Sequence, residues 1–154
     1  MSNPPSKKHP TLLQQYISMN ILPLLFLALP LMGISQNVST LEQEIHKAVN
    51  SYKQKTRKTS VALDSALSAQ SRAHTRFMVE TQELEHAEFI NARGEIIQRT
   101  NNIDCTEAQV AKKVLTNFLN SPSHKEILDL EIVKIGVGVV VEDSGYVWVT
   151  IRVR

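Results

Sequence analysis

The stretch Val133-Lys-Ile-Gly-Val-Gly-Val-Val-Val-Glu-Asp-Ser-Gly-Tyr-Val-Trp-Val-Thr-Ile-Arg-Val153 decides the fold. Val133, Ile135, Val137, Val139 and Val141 alternate with Lys134, Gly136, Gly138, Val140 and Glu142. After Asp143-Ser144-Gly145, Val147, Val149, Ile151 and Val153 alternate with Tyr146, Trp148, Thr150 and Arg152. A period of two places each set on one side of a strand, and the Asp-Ser-Gly step reads as a turn. The stretch therefore predicts a β-hairpin with one strongly apolar face. The opposite face carries Gly136, Gly138 and Trp148, and the missing side chains leave room for another element to pack close to the backbone.

Upstream the period changes to that of a helix. Leu41, Ile45, Ala48 or Val49, and Tyr52 predict an amphipathic helix over residues 39–54. The cluster Lys53, Lys55, Arg57 and Lys58 follows and reads as a solvated loop. A second helix is expected over 64–84, opened by Asp64, whose carboxylate can accept the free amides of the first turn. Its apolar stripe is Ala66, Leu67, Ala73, Phe77, Met78 and Leu84, and His74 falls on that stripe as a core histidine hydrogen-bonded inside. Residues 85–104 lack a clear period and predict a loop with one short strand near 95–99. Thr106-Glu-Ala-Gln109 is a capping-box pattern opening a third helix to about Leu119, with Ala111, Val114, Leu115 and Phe118 inward. Ser121-Pro122 starts a short fourth helix, serine suiting the cap and proline the first helical position. Helices followed by a terminal hairpin predict an α+β fold, an α-β-α sandwich in which helices cover a small antiparallel sheet.

With 154 residues the chain is long enough for one domain. Its N-terminus reads as a separate leader over 1–35, followed by the domain over 36–154. The apolar run Ile21–Ile34 carries no charge and is too short for the roughly 20 residues a membrane span needs. It suits the apolar region of an export signal, with Gly33 and Ser35 as the small residues before a cut at Gln36. Either Met1 or Met19 could be the start. The expectation is a secreted or cell-envelope protein, membrane-anchored if the leader stays on, with no stable span once it is cleaved. The chain has 17 basic and 15 acidic residues; Lys7 and Lys8 lie in the leader, so residues 36–154 balance. Such a balance gives no footing for nucleic-acid binding. Cys105 is the sole cysteine, so no internal disulfide can form, and pairing with another chain is the open alternative.

Several pieces, in order, resemble the CAP (SCP-like) family of sperm-coating, pathogenesis-related and exported bacterial proteins, over about residues 40–154. Asn50-Ser-Tyr52-Lys53 resembles that family's "N-x-Y-R", and Leu63-Asp64 through His74 to Met78 resembles its second-helix stretch. His86-Ala-Glu88 resembles "H-x-D", Gly94-Glu95-Ile96-Ile97 resembles "G-E-N-I", and Phe118-Leu-Asn-Ser121-Pro-Ser-His124-Lys resembles "W-x-x-S-P-G-H-R". Ile135-Gly136-Val137-Gly138 resembles "I-G-V-G". Phe118 and Ile96 depart from the family's tryptophan and asparagine, and the segment from His86 to Gly94 is short. The resemblance implies a sheet between helical layers and a histidine-lined cleft, with divalent ions, sterols and other lipids as ligands proposed for the family.

The residues themselves leave two readings open: His86 caps the second helix and His124 bonds neighbouring backbone, or the two histidines line a site, as the resemblance implies. His124 lies in the first turn of a helix, whose positive end disfavours the protonated ring. A neutral ring is the form that binds a metal or accepts a proton. His86 is flanked by Glu83, Glu85 and Glu88, and a carboxylate can orient one ring nitrogen and leave the other free. The expected cleft comprises His86, Glu95, His124 and Ser121, with His86 and His124 as ligands if a zinc-like ion binds. No nucleophile, base and orienting acid assemble from the sequence, so a module binding a small molecule, lipid or divalent ion is favoured over an enzyme. The alternative is a metal-dependent, peptidase-like hydrolase with Glu88 or Glu95 as general base. A protein-interaction module is the second alternative.

Overall fold

A computed structural model describes residues 39–88, 91–102 and 104–154. The leader reading and the choice of start residue lie outside the described residues. The elements are α1 (Thr40–Lys55), β1 (Ala62–Leu63), α2 (Ser65–Thr81), β2 (Gly94–Asn101), α3 (Glu107–Asn120), α4 (Pro122–Asp129), β3 (Lys134–Val141) and β4 (Tyr146–Val153). The helix starts follow the local chemistry. Ser39 and Glu42 close a capping box on α1, Thr106 and Gln109 close one on α3, and the Asp64 carboxylate accepts the Leu67 amide at 2.9 Å.

The sheet order is β1-β3-β4-β2, with β3, β4 and β2 antiparallel. The two-residue β1 pairs parallel with β3, a strand too short to leave a periodic signal. The hairpin closes where expected: Gly145 takes φ 85°, open to glycine without strain, and Glu142 and Tyr146 pair across it.

The two sheet faces differ. Ile96, Ile135, Val137, Val147, Val149, Ile151 and Val153 pack against Leu41, Ile45, Val49, Val110, Val114, Phe118 and Leu128 from α1, α3 and α4. On the other face lies α2. A Cβ on Gly136 would stand 2.2 Å from the Leu67 carbonyl carbon, and one on Gly138 2.2 Å from that of Ser71. The glycines thus let the backbone of α2 rest on the sheet.

This close approach corrects the expected stripe of α2. Its buried side chains are Leu67, Ser68, Ser71, Arg72, His74, Thr75 and Met78, whereas Phe77 is 46% and Leu84 52% exposed. Ala66 and Ala73 are exposed as well. Small hydroxyl residues fit where backbones nearly touch, and their oxygens find partners: Thr75 donates to Ser71 O at 2.8 Å and lies 2.9 Å from the Thr150 hydroxyl. Phe77 is too large for that seam and turns outward. The helix also stops at Thr81, with Gln82 left-handed at φ 59°, three residues short of its expected end.

The basic cluster is only in part a solvated loop: Arg57 is exposed in the turn after α1. Helix α1 runs through Lys53 and Lys55, and Lys53 is buried at 1% exposure with its ammonium donating to Leu130 O at 2.8 Å. Burial, then the neighbouring charge of Lys58, lowers the Lys53 pKa.

Candidate functional site

Glu95 is the second residue of β2, directly opposite Arg152 of β4. Both side chains are buried on the α2 side of the sheet, and Arg152 Nε donates to Glu95 Oε2 at 2.8 Å. The other carboxylate oxygen accepts the Ala87 amide at 2.9 Å and faces His86 Nδ1 at 3.2 Å. His74 stands behind it, its Nε2 donating to Glu85 O at 2.8 Å and lying 3.7 Å from Glu95 Oε1. Burial alone would raise the Glu95 pKa; the Ala87 amide and the Arg152 hydrogen bond, aided by the charge of His74, outweigh it and hold the carboxyl below its ordinary value.

Glu95 therefore braces His86. A carboxylate only accepts, so His86 Nδ1–H donates to it and a neutral His86 keeps Nε2 as a free acceptor. The His86 side chain is 57% exposed, so its outer edge meets solvent. His74 has the core role expected of it, and by bonding Glu85 O it also anchors the segment that carries His86.

His124 arrives from the other side. It sits in the first turn of α4, half-buried, with its ring edge-on to Phe118 at 5.4 Å between centroids. Burial, then the charge of nearby His86, lowers its pKa, so the neutral ring is favoured. The two histidines come within electrostatic reach because β2 is the outermost strand of the sheet. One can approach from the α2 side and the other from the α4 side. Gly94, at the start of β2, faces Ile127 of α4; a Cβ there would lie 3.1 Å from Ile127 Cγ2.

Ser121 occupies the cap position of α4, but its hydroxyl makes no capping bond and instead faces the Ser123 hydroxyl at 3.3 Å. Glu88 is exposed on the His86 segment, and Glu95 is the carboxylate that touches His86. Arg152 and the Ala87 amide were missed in the sequence. The signal for Arg152 was its place on the polar phase of the last strand, but a charge there reads as solvent-facing until the glycine-lined seam is known.

The donor set does not fit a closed zinc centre. A catalytic zinc takes three protein ligands. Here His86 Nδ1 and both Glu95 oxygens are already engaged, leaving His86 Nε2 and the His124 ring. Among the described residues no group of three His, Cys, Asp or Glu side chains is arranged to hold a metal. Two concavities of about 300 and 350 Å³ lie elsewhere. One runs between α1 and α3 beside Lys47, Lys55 and Lys112; the other is lined by Leu41, Val110, Val139, Val141 and the exposed Cys105.

Helices on both faces of a small sheet, with a carboxylate-braced histidine at its edge, define an α-β-α sandwich of the SCP-like kind. Over residues 46–151 the chain matches CAP, the cysteine-rich secretory protein family, and it belongs to that family. Solved structures agree on the fold. An outer surface protein of Borrelia burgdorferi is similar at 16% identity and a TM-score of 0.59, over 76% of this chain and 96% of that one. An extracellular SCP-domain protein of Bacillus anthracis is similar at 16% identity and a TM-score of 0.50, over 73% of this chain and 40% of that one. Na-ASP-1 is similar at 14% identity and a TM-score of 0.59, over 75% of this chain and 38% of that one. No curated protein matches the chain. No described helix is long and apolar enough to cross a membrane.

Proposed function

We propose that this protein is an exported binding module whose ligand sits at His86, Glu95 and His124. The observation that carries the reading is the buried Glu95, which fixes the tautomer of an exposed His86 while burial keeps His124 neutral. The His124 ring, and the outer nitrogen of His86 whenever that ring is unprotonated, offer acceptors to a ligand bearing hydroxyl or amide donors. The exposed Phe77, stacked on His74 at 6.1 Å between centroids, and the exposed Leu84 supply an apolar border, which favours an amphiphile such as a lipid with a hydroxylated headgroup. A divalent ion held by two imidazoles would be bound weakly. The secretory character of the family and the apolar leader support export of the module to the cell envelope or beyond the cell.

The test is a titration of the full chain with phosphatidylglycerol micelles and, separately, with zinc chloride, followed by NMR at the His86 and His124 rings. The reading expects saturable shifts at both rings with the micelles, lost in His86→Ala and His124→Ala, and no hydrolysis of peptide or ester substrates. Metal-dependent hydrolysis that vanishes in His124→Ala would replace it with the hydrolase reading. Rings that respond to neither probe would contradict it.

A further inference from the structure

Three consecutive carbonyls at and just beyond the end of α4 are each gripped by a cation, two from the end of α1 and the loop after it and one from the segment before β2. Lys58 Nζ donates to Asp129 O at 2.6 Å, Lys53 Nζ to Leu130 O at 2.8 Å, and Arg93 Nη1 to Glu131 O at 2.6 Å. The Asp129 side chain joins them, accepting from the Tyr52 hydroxyl at 2.8 Å and pairing with Lys125. A helix C-terminus presents unpaired carbonyls and negative partial charge, so cations are favoured there. The arrangement here is unusual in being long-range and partly buried: Lys53 lies 77 residues from its partner and is almost wholly enclosed.

Helix α4 needs such a grip. Within it only Leu128 is fully buried, and the Ser121 hydroxyl does not cap its start. The same helix carries His124 in its first turn and touches Gly94 through Ile127. Arg93 is the neighbour of Gly94 and lies two residues from Glu95. The clamp thus ties the helix bearing one histidine to the strand bearing the carboxylate that braces the other.

We infer that Lys53, Lys58 and Arg93 are positioning residues, which by holding the 129–131 carbonyls set the His124 ring against the His86–Glu95 pair. The cleft they serve is the one proposed above as the ligand site. The geometry also gives physical content to the Asn50-Ser-Tyr52-Lys53 run. Asn50 pairs with the Val61 backbone through both ends of its amide, at 2.8 and 3.0 Å, while Tyr52 and Lys53 reach the end of α4. One helical turn therefore fastens the start of the sheet and the helix bearing His124.

The experiment uses the full chain, with Lys53→Met and the double variant Lys58→Met/Arg93→Met, and reads His124 without any ligand. Wild type should give a nuclear Overhauser effect between the Phe118 and His124 rings and slow amide exchange in α4. In each variant that effect should weaken, the His124 ring signals should move, and α4 amides should exchange about tenfold faster, while those of Val149 and Ile151 stay protected. Lys53→Arg should restore the wild-type His124 signals. If Lys53→Met fails to fold, the double variant decides the matter, since Arg93 is exposed. A folded double variant with His124 signals, ring contact and α4 exchange all as in wild type would overturn the inference. Failure of the ligand reading alone would leave these readouts as expected, so the two outcomes are distinguishable.

Discussion

The two faces of the sheet are built on opposite principles. The face toward α1 and α3 is a wall of Ile and Val side chains against Leu, Val and Phe, held by burial of apolar surface. The face toward α2 has glycines for clearance, hydroxyls for hydrogen bonds, and the buried Glu95–Arg152 pair at one end. A pure oil interface separates helix and sheet by the width of side chains. A glycine seam brings the backbones together and admits polar groups where they can be fully paired. The second face holds the buried Glu95–Arg152 pair beside His86, and the proposed histidine site lies at that end.

Substitutions that trade one principle for the other should break the contrast. Gly138→Val has the largest expected effect, because its first carbon would already stand 2.2 Å from helix backbone that cannot move away locally. A loss exceeding about 3 kcal/mol is expected, read by chemical denaturation, with failure to fold as its extreme. Arg152→Met comes next. It leaves the Glu95 carboxylate buried without its strongest cation and should cost about 3 kcal/mol. Ile151→Leu, on the apolar face and buried at 0% exposure, keeps volume and should cost less than about 1.5 kcal/mol. Equal costs for Ile151→Leu and Gly138→Val would erase the distinction.

Acid sharpens the same comparison. The folded pKa of Glu95 is lowered, so its contribution is fully present above the ordinary glutamate value of about 4.3 and is lost as pH falls through the lower folded value. Glu95→Gln should reduce stability at neutral pH and flatten that part of the stability–pH curve. Ile151→Leu should shift the curve without changing its shape.

The apolar face was legible in the sequence because period-two and helical spacing report burial directly. The alternation from Ile135 to Val153 and the caps at Asp64 and Thr106 all have counterparts in the structure. The polar face was not legible in the same way. Gly136 and Gly138 announced a close approach, but Ser71 and Thr75 look like surface residues on a helix whose Phe77 looks like core. Hydropathy cannot rank a buried threonine above an exposed phenylalanine when packing distance decides between them. Lys53 was misread for a related reason: a lysine in a basic run reads as solvated unless a helix end waits to receive it. The histidines were singled out by resemblance and by local setting. The bond from His86 to Glu95 depends on strand register and a backbone turn at Ala87, which no local spacing encodes.

The central claim is that His86 and His124 share one cleft across the edge of β2. An NMR titration of the histidine ring protons, in wild type and in His86→Asn, tests it most directly. His124 should titrate below its ordinary value of about 6.5 in wild type, and its pKa should rise in His86→Asn while staying lowered by burial. A His124 titration unchanged by the loss of His86 would contradict the account, since the two rings would then not feel each other.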